Sequence, residues 1–172
     1  MKKILIAYFS LKGETYVDGR IENRPMGNTE VIARKIEELT VGNLFHIETA
    51  EAYPKNHMDT IEAAKQELRC DARPALAAAV DDMDCYDTIV LGYPNWWGTM
   101  PMAVFHFLES YDFSGKTIVP FCTHEGSGLG HSVADIERLC PQARILSGTA
   151  IRGGEVARAD NKVKLIVKTL KD

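Results

Sequence analysis

Two kinds of hydrophobic pattern alternate along this chain. Lys3 to Phe9, Thr88 to Tyr93 and Thr117 to Cys122 are short apolar runs bounded by polar residues. A strand covered by helices on both faces of its sheet reads as such a continuous run, and Ile89-Val90-Leu91 fits that expectation. These three segments predict central parallel strands. Further strands are predicted around Leu44 to Glu48 and over Ala143 to Leu146, the latter with a continuation through Thr149-Ala150-Ile151 that Gly148 interrupts. Between the runs, apolar residues recur at helical spacing. Ile32, Ile36 and Leu39 do so after Asn28, and Ile61, Ala64 and Leu68 follow. Val133, Ile136 and Leu139, then Val163, Ile166, Val167 and Leu170, mark two later helices, and Pro101 suits the first turn of another.

Strand and helix therefore alternate from end to end. That order predicts an α/β fold, a doubly wound five-stranded parallel sheet of order 2-1-3-4-5 with helices on both faces. In such a sheet a ligand sits beyond the carboxyl ends of the strands, where the winding direction reverses, so the loops after strands one, three and four matter most.

Composition narrows the picture further. With 172 residues and 45% hydrophobic content, the chain can bury one sizeable core but falls short of two typical domains, so residues 1–172 are expected to form one domain. A net charge of -4 without long basic runs gives no electrostatic footprint for nucleic acid, and no apolar segment reaches membrane-spanning length. Met1-Lys2-Lys3 before Ile4-Leu5-Ile6 reads as the entry to a buried strand rather than a signal sequence, because no small-residue cleavage site follows. Cys70, Cys85, Cys122 and Cys140 are scattered without a Cys-x-x-Cys pair, which predicts reduced core thiols, no metal site and a cytoplasmic protein.

The first loop is interrupted. Strand one ends at Tyr8-Phe9-Ser10, while helical periodicity begins only after Gly27-Asn28-Thr29-Glu30. Backbone N–H groups at a helix start can hold a phosphate without any lysine, and Ser10, Asn28 and Thr29 can add side-chain hydrogen bonds; an ordinary Asn or Thr helix cap would look the same. Ser10-Leu11-Lys12-Gly13-Glu14-Thr15 imitates the same junction, but no helical pattern follows it. An insertion near residues 12–26 is therefore expected to split the cradle. Within it, Tyr16 to Ile21 predicts a small hairpin turning at Asp18-Gly19, which either decorates the surface or overhangs the ligand.

The second loop, Pro94-Asn95-Trp96-Trp97-Gly98-Thr99-Met100-Pro101, holds both tryptophans of the chain. Two adjacent large aromatics cannot both point into one core from a tight loop, so at least one should face a groove, where a flat ring would suit it. The third loop, Thr123-His124-Glu125-Gly126-Ser127-Gly128, has glycines that let backbone N–H groups turn toward a ligand edge. His124 and Glu125 are candidates for acid–base work or simply solvated loop residues.

Together, Tyr8-Phe9-Ser10 with Gly27-Asn28-Thr29, the tryptophan loop, and the Thr-His-Glu-Gly-Ser-Gly loop resemble the three cofactor loops of the flavodoxins. Flavodoxin is itself the standing example of the crevice rule above, so rule and resemblance are not independent. The resemblance spans nearly the whole chain and implies flavin mononucleotide (FMN) as cofactor. By resemblance, Ser10, Gly27, Asn28 and Thr29 take the phosphate. Pro94, Asn95, Trp96, Trp97 and Gly98 pack on the flavin ring, and Thr123, His124, Glu125, Gly126, Ser127 and Gly128 meet its pyrimidine end. In that family a peptide of the second loop can also turn its carbonyl toward the flavin, and Gly98 is the matching residue.

The implied function is electron transfer, with FMN cycling through oxidised, semiquinone and hydroquinone states. The alternative is an FMN-dependent NAD(P)H oxidoreductase acting on quinones or similar small acceptors. The expected partners are redox proteins or small electron acceptors, with no nucleic acid and no membrane insertion. Three departures from the family stand out: the insertion, a third loop lacking the tyrosine many flavodoxins stack on the outer flavin face, and a net charge milder than theirs. Phosphoacceptor and nucleoside-triphosphate chemistries fit worse. Ile4 to Ser10 holds no acidic residue, and Gly27-Asn28-Thr29 lacks the P-loop lysine.

Overall fold

The computed structural model describes residues 2–171. Strand β1 (Ile4–Tyr8) runs through the middle of the protein because its alternate residues are apolar on both sides. Leu5, Ala7 and Phe9 enter one core and Ile6 and Tyr8 the other, as the two-residue period of a strand requires. The same division holds in β5 (Thr88–Pro94), where Ile89, Leu91 and Tyr93 oppose Val90. In β6 (Thr117–His124), Ile118 and Cys122 oppose Val119 and Phe121.

Two hydrophobic layers therefore flank one sheet. On one side α1 (Asn28–Glu38) and α5 (Asp160–Thr169) bury Ile32, Ala33 and Ile36 together with Val163, Ile166 and Val167. On the other, α3 (Met102–Glu109) buries six of its eight residues beneath α2 (His57–Arg69) and α4 (Ser132–Leu139). Pro101 stands at the position just before α3, fixing the chain's entry without blocking a helical bond. The buried Tyr93 hydroxyl shares a 2.8 Å hydrogen bond with Ser132 and pins the start of α4 to β5.

The remaining parallel strands are β4 (Asn43–His46), β7 (Arg144–Ile145) and β8 (Thr149–Arg152), giving the spatial order β4-β1-β5-β6 with β7 and β8 both on the far side of β6. Counting β7 and β8 as one interrupted strand, this is the order 2-1-3-4-5. β7 pairs with Thr117-Ile118 and β8 with Phe121 to His124. Between them, Gly148 lies where a Cβ would meet Leu129 at 2.8 Å and Val133 at 3.2 Å, so the interruption lets the α4 side pack against bare backbone. The winding direction reverses between β1's two neighbours, β4 and β5, and every parallel strand points its carboxyl end toward that crevice.

A separate two-stranded sheet follows β1. β2 (Gly13–Val17) and β3 (Arg20–Arg24) pair antiparallel across Asp18 and Gly19, whose φ angles of 49° and 87° make the tight hairpin turn that Asp-Gly favours. Helix α1 begins only after it. Among the described residues no helix is long and apolar enough to cross a membrane.

Candidate functional site

Ser10 and Gly27, seventeen positions apart in sequence numbering, touch in space. A Cβ on Gly27 would stand 2.1 Å from Ser10 Oγ and 2.4 Å from the Leu11 carbonyl oxygen, so only glycine closes this junction. Gly27 precedes α1 and has no side chain to cap it. The Glu30 N–H donates to Ser10 Oγ at 3.2 Å and the Val31 N–H to the Gly27 carbonyl. Among the described residues the N–H groups of Asn28 and Thr29 find no acceptor. Helix α2 is the contrast. There Asn56 Oδ1 accepts from the N–H groups of Met58 and Asp59, and Glu14 accepts from that of His57 at 2.9 Å. One helix start is capped by side chains; the other is left open toward a cleft.

That cleft measures about 440 Å³ and lies beyond the ends of β1, β5 and β6. Of the residues assigned from sequence, Ser10, Asn28, Thr29, Pro94, Asn95, Trp96, Trp97, Gly98, Thr123, His124, Glu125 and Ser127 line it. Gly27, Gly126 and Gly128 do not, and each has a structural task instead. Gly27 closes the junction just described, the Gly126 N–H donates to His124 Nδ1 at 2.9 Å, and the Gly128 carbonyl accepts from Asn95 Nδ2 at 2.8 Å.

The three loops are braced against one another. Asn95 accepts from the Gly98 N–H at 2.9 Å, donates its own N–H to the Thr123 carbonyl at 2.8 Å, and reaches Gly128 as above. The buried hydroxyls of Thr29 and Thr123 share a 2.8 Å hydrogen bond, joining the first loop to the third. The tryptophans divide the two tasks expected of them. Trp96 packs edge-on against Phe9 and Tyr53, with ring centroids 5.1 and 5.2 Å apart. Trp97 stays half-exposed at the cleft, its indole N–H donating to the Ile61 carbonyl and Lys65 lying over its ring.

Trp97 and Gly98 have φ angles of 56° and 90°, within a two-residue turn closed by Trp96 N–H and the Thr99 carbonyl at 2.9 Å. For tryptophan this left-handed conformation is strained. The Gly98 carbonyl accepts from the His131 N–H at 2.8 Å, so turning it toward a ligand would first break that bond.

Burial, then the nearby Lys162 charge, pushes the His124 imidazole below its ordinary value of 6.5. The Gly126 N–H on Nδ1 agrees, since an accepting nitrogen belongs to the neutral ring with its proton on Nε2. Tyr53 donates to Glu67 at 2.9 Å; burial raises both groups, and this bond partly offsets the rise in the carboxyl.

Sequence reasoning left out a second wall of the cleft. Glu14, Thr15 and Tyr16 of the hairpin and His57, Thr60, Ile61 and Ala64 of α2 form it. The hairpin is tied down along its length. The Asp18 N–H donates to Glu125 at 3.0 Å, the Asp18 carboxylate lies 3.7 Å from Arg152, and Tyr16 stacks on His57. Arg24 donates to Asn28 Oδ1 at 2.6 Å. Of the two positions open from sequence, the hairpin takes the overhanging one. The Asp-Gly turn was its only local signal, and nothing local aims the apolar face of α2 at a cleft.

An open parallel sheet with a cleft at its winding reversal and an uncapped helix start on its floor defines a ligand-binding doubly wound α/β protein. The chain belongs to the flavodoxin family, whose model, described as Flavodoxin, matches residues 3–168. Among solved structures it is similar to a protein of Bacteroides uniformis assigned as a flavoprotein, at 27% identity and a TM-score of 0.76, over 95% of this chain and 98% of that one. It shares its fold with a flavoprotein of Lactobacillus acidophilus crystallised in complex with FMN, at 22% identity and a TM-score of 0.66, over 92% of this chain and 98% of the other. It also shares its fold with an NADH:FMN oxidoreductase, at 10% identity and a TM-score of 0.53, over 98% and 90% of the two chains. No curated protein matches its sequence.

Proposed function

We propose that this chain binds FMN in the cleft and carries electrons through it. The observation that carries the reading is the open start of α1. Two N–H donors and the positive end of an eleven-residue helix face a cleft that has room for a cofactor, and no side chain of the protein occupies them as Asn56 and Glu14 occupy those of α2. Asn28 and Thr29 would hold the phosphate with Ser10 behind them. Trp97 offers a flat, half-exposed face for the flavin ring, with Trp96 fixing the loop from below. Thr123 to Ser127 would line the ring's polar edge. Family membership and the FMN complex of the Lactobacillus protein support the cofactor's identity. When bound, the flavin supplies the redox chemistry; the residues here bind it, orient it and limit its contact with water.

A visible spectrum and fluorescence titrations test this. The protein should turn yellow on reconstitution and bind FMN far more tightly than riboflavin, which lacks the phosphate. Replacing Asn28 or Thr29 with Ala should cost FMN about 0.5–1.5 kcal/mol per neutral hydrogen bond and riboflavin almost nothing. Equal affinities for the two flavins would overturn the phosphate assignment.

A second reading is an FMN-dependent oxidoreductase that takes hydride from NAD(P)H and reduces a quinone or similar acceptor. The second wall favours it, because the hairpin and α2 extend the cleft beyond the three loops. Rapid oxidation of NAD(P)H by the reconstituted protein alone, with a small acceptor, decides for the enzyme.

A further inference from the structure

Arg24 closes β3 and lies against Asn28, the first residue of α1. A cation at the start of a helix opposes the helix dipole, so its placement calls for a reason. Its guanidinium is divided among three partners. Nε and Nη2 donate to Glu22 at 3.2 and 3.1 Å, which fixes the plane of the fork, and Nη1 donates to Asn28 Oδ1 at 2.6 Å. Nη1 also lies 3.5 Å from the Gly153 carbonyl. An amide has one accepting end and one donating end. With Oδ1 held by a guanidinium, the opposite flip would set donors against donors, so Nδ2 must face away.

Asn28 lines the cleft, and among the described residues its Nδ2 has no acceptor. Beside it, Glu125 Oε1 is buried without a hydrogen-bond partner; both atoms lie within 2.7 Å of where a Cβ on Gly153 would stand. A donor without an acceptor and a buried acceptor without a donor thus lie together beside Gly153, at the edge of the cleft.

Resting on the FMN reading above, we propose that Arg24 is a positioning residue for the phosphate site. It turns the Asn28 amide so that its N–H donors face the cleft, and it strengthens them by drawing charge from the carbonyl end. The inserted hairpin thus completes the cradle that it interrupts in sequence. Arg24 selects for the phosphate through Asn28, without touching the ligand itself.

The test is a double-mutant cycle of Arg24→Ala and Asn28→Ala, with FMN and riboflavin titrated separately into each variant. Arg24→Ala should weaken FMN about tenfold and leave riboflavin within about twofold. Because the arginine acts through the amide, the double variant should lose no more than Asn28→Ala alone. Arg24→Lys, which keeps the charge but not the fork, should recover only part of the loss. An additive loss in the double variant would show Arg24 acting independently of Asn28 and overturn the proposal. So would an unchanged FMN affinity in Arg24→Ala, or an equal fall in riboflavin, which would mark a purely structural role. Wild-type protein that binds neither flavin would instead remove the FMN reading, a result distinct from all of these.

Discussion

Gly27 has ordinary backbone angles, φ -67° and ψ 155°, so alanine there would meet no conformational penalty. The obstacle is purely one of space, with Ser10 Oγ and the Leu11 carbonyl occupying the position of a methyl group. Gly27→Ala should therefore destabilise the fold by about 1–3 kcal/mol, the usual cost of overpacking, and shift the start of α1 away from Ser10. Thermal denaturation measures the first effect and the FMN-to-riboflavin affinity ratio the second. His124 gives a prediction in pH. Its folded-state value lies below the unfolded one, so just below about pH 6.5 the unfolded chain binds more protons and stability falls as pH falls. Above that range the imidazole is neutral in both states and contributes no slope. Wild type should lose more thermal stability than His124→Gln on acidification from about pH 8 to 5, and an NMR titration of the ring should show the lowered value directly.

The hairpin is the element that the sequence describes least completely. Its turn is legible in Asp18-Gly19, but its seat is not. Asp18 to Glu125, Glu14 to His57 and Arg24 to Asn28 and Gly153 are tertiary contacts that no local pattern encodes. Helix α2 is similar: the spacing of Ile61, Ala64 and Leu68 announces an apolar face, yet only Ala64 is fully buried because that face turns partly to the cleft. Excision tests what the hairpin does. The Leu11 carbonyl carbon lies 3.0 Å from where a Gly27 Cβ would stand, so residues 12–26 can be replaced by two glycines with little strain. In the hairpin Val17 is the one fully buried apolar side chain, whose lost burial costs about 1.5–3 kcal/mol, and the broken bonds to His57, Glu125 and Asn28 add to that. The shortened protein should fold and still bind flavin, with the cleft open on one side. Iodide should then quench the bound flavin more strongly than in the full chain, whereas unchanged quenching would reduce the hairpin to its contact at Asn28.

At the scale of the molecule, the fold was legible because its central strands β1, β5 and β6 are buried on both faces. Each of these appears as an apolar run, and alternation with helices leaves few topologies to choose from. The split of the last strand was signalled by Gly148, whose role as a packing surface for Leu129 became visible only in three dimensions. Of the four free thiols expected in the core, only Cys122 and Cys140 are buried there, while Cys70 is exposed and Cys85 half-buried. Cys122 is buried in β6 and burial pushes its thiol up to about 12; Cys140, at the end of α4, is buried as well and pushed up to about 11. Since the thiolate is the reactive form, both are protected twice over, by access and by ionisation. Cys70 follows α2 and is exposed. A disulfide reagent at about pH 8 should therefore label Cys70 at once, Cys85 more slowly, and Cys122 and Cys140 only as fast as the core opens. If FMN binds the native cleft, saturating cofactor should slow the last two by the factor through which it stabilises the native state, about a hundredfold when free FMN exceeds its dissociation constant a hundred times, and leave Cys70 unchanged. Peptide mapping of timed samples separates the sites. Labelling of Cys122 at the rate of Cys70 would mean that β6 is not the protected centre of the sheet, and a cofactor without effect on the slow pair would mean that it does not bind the folded cleft.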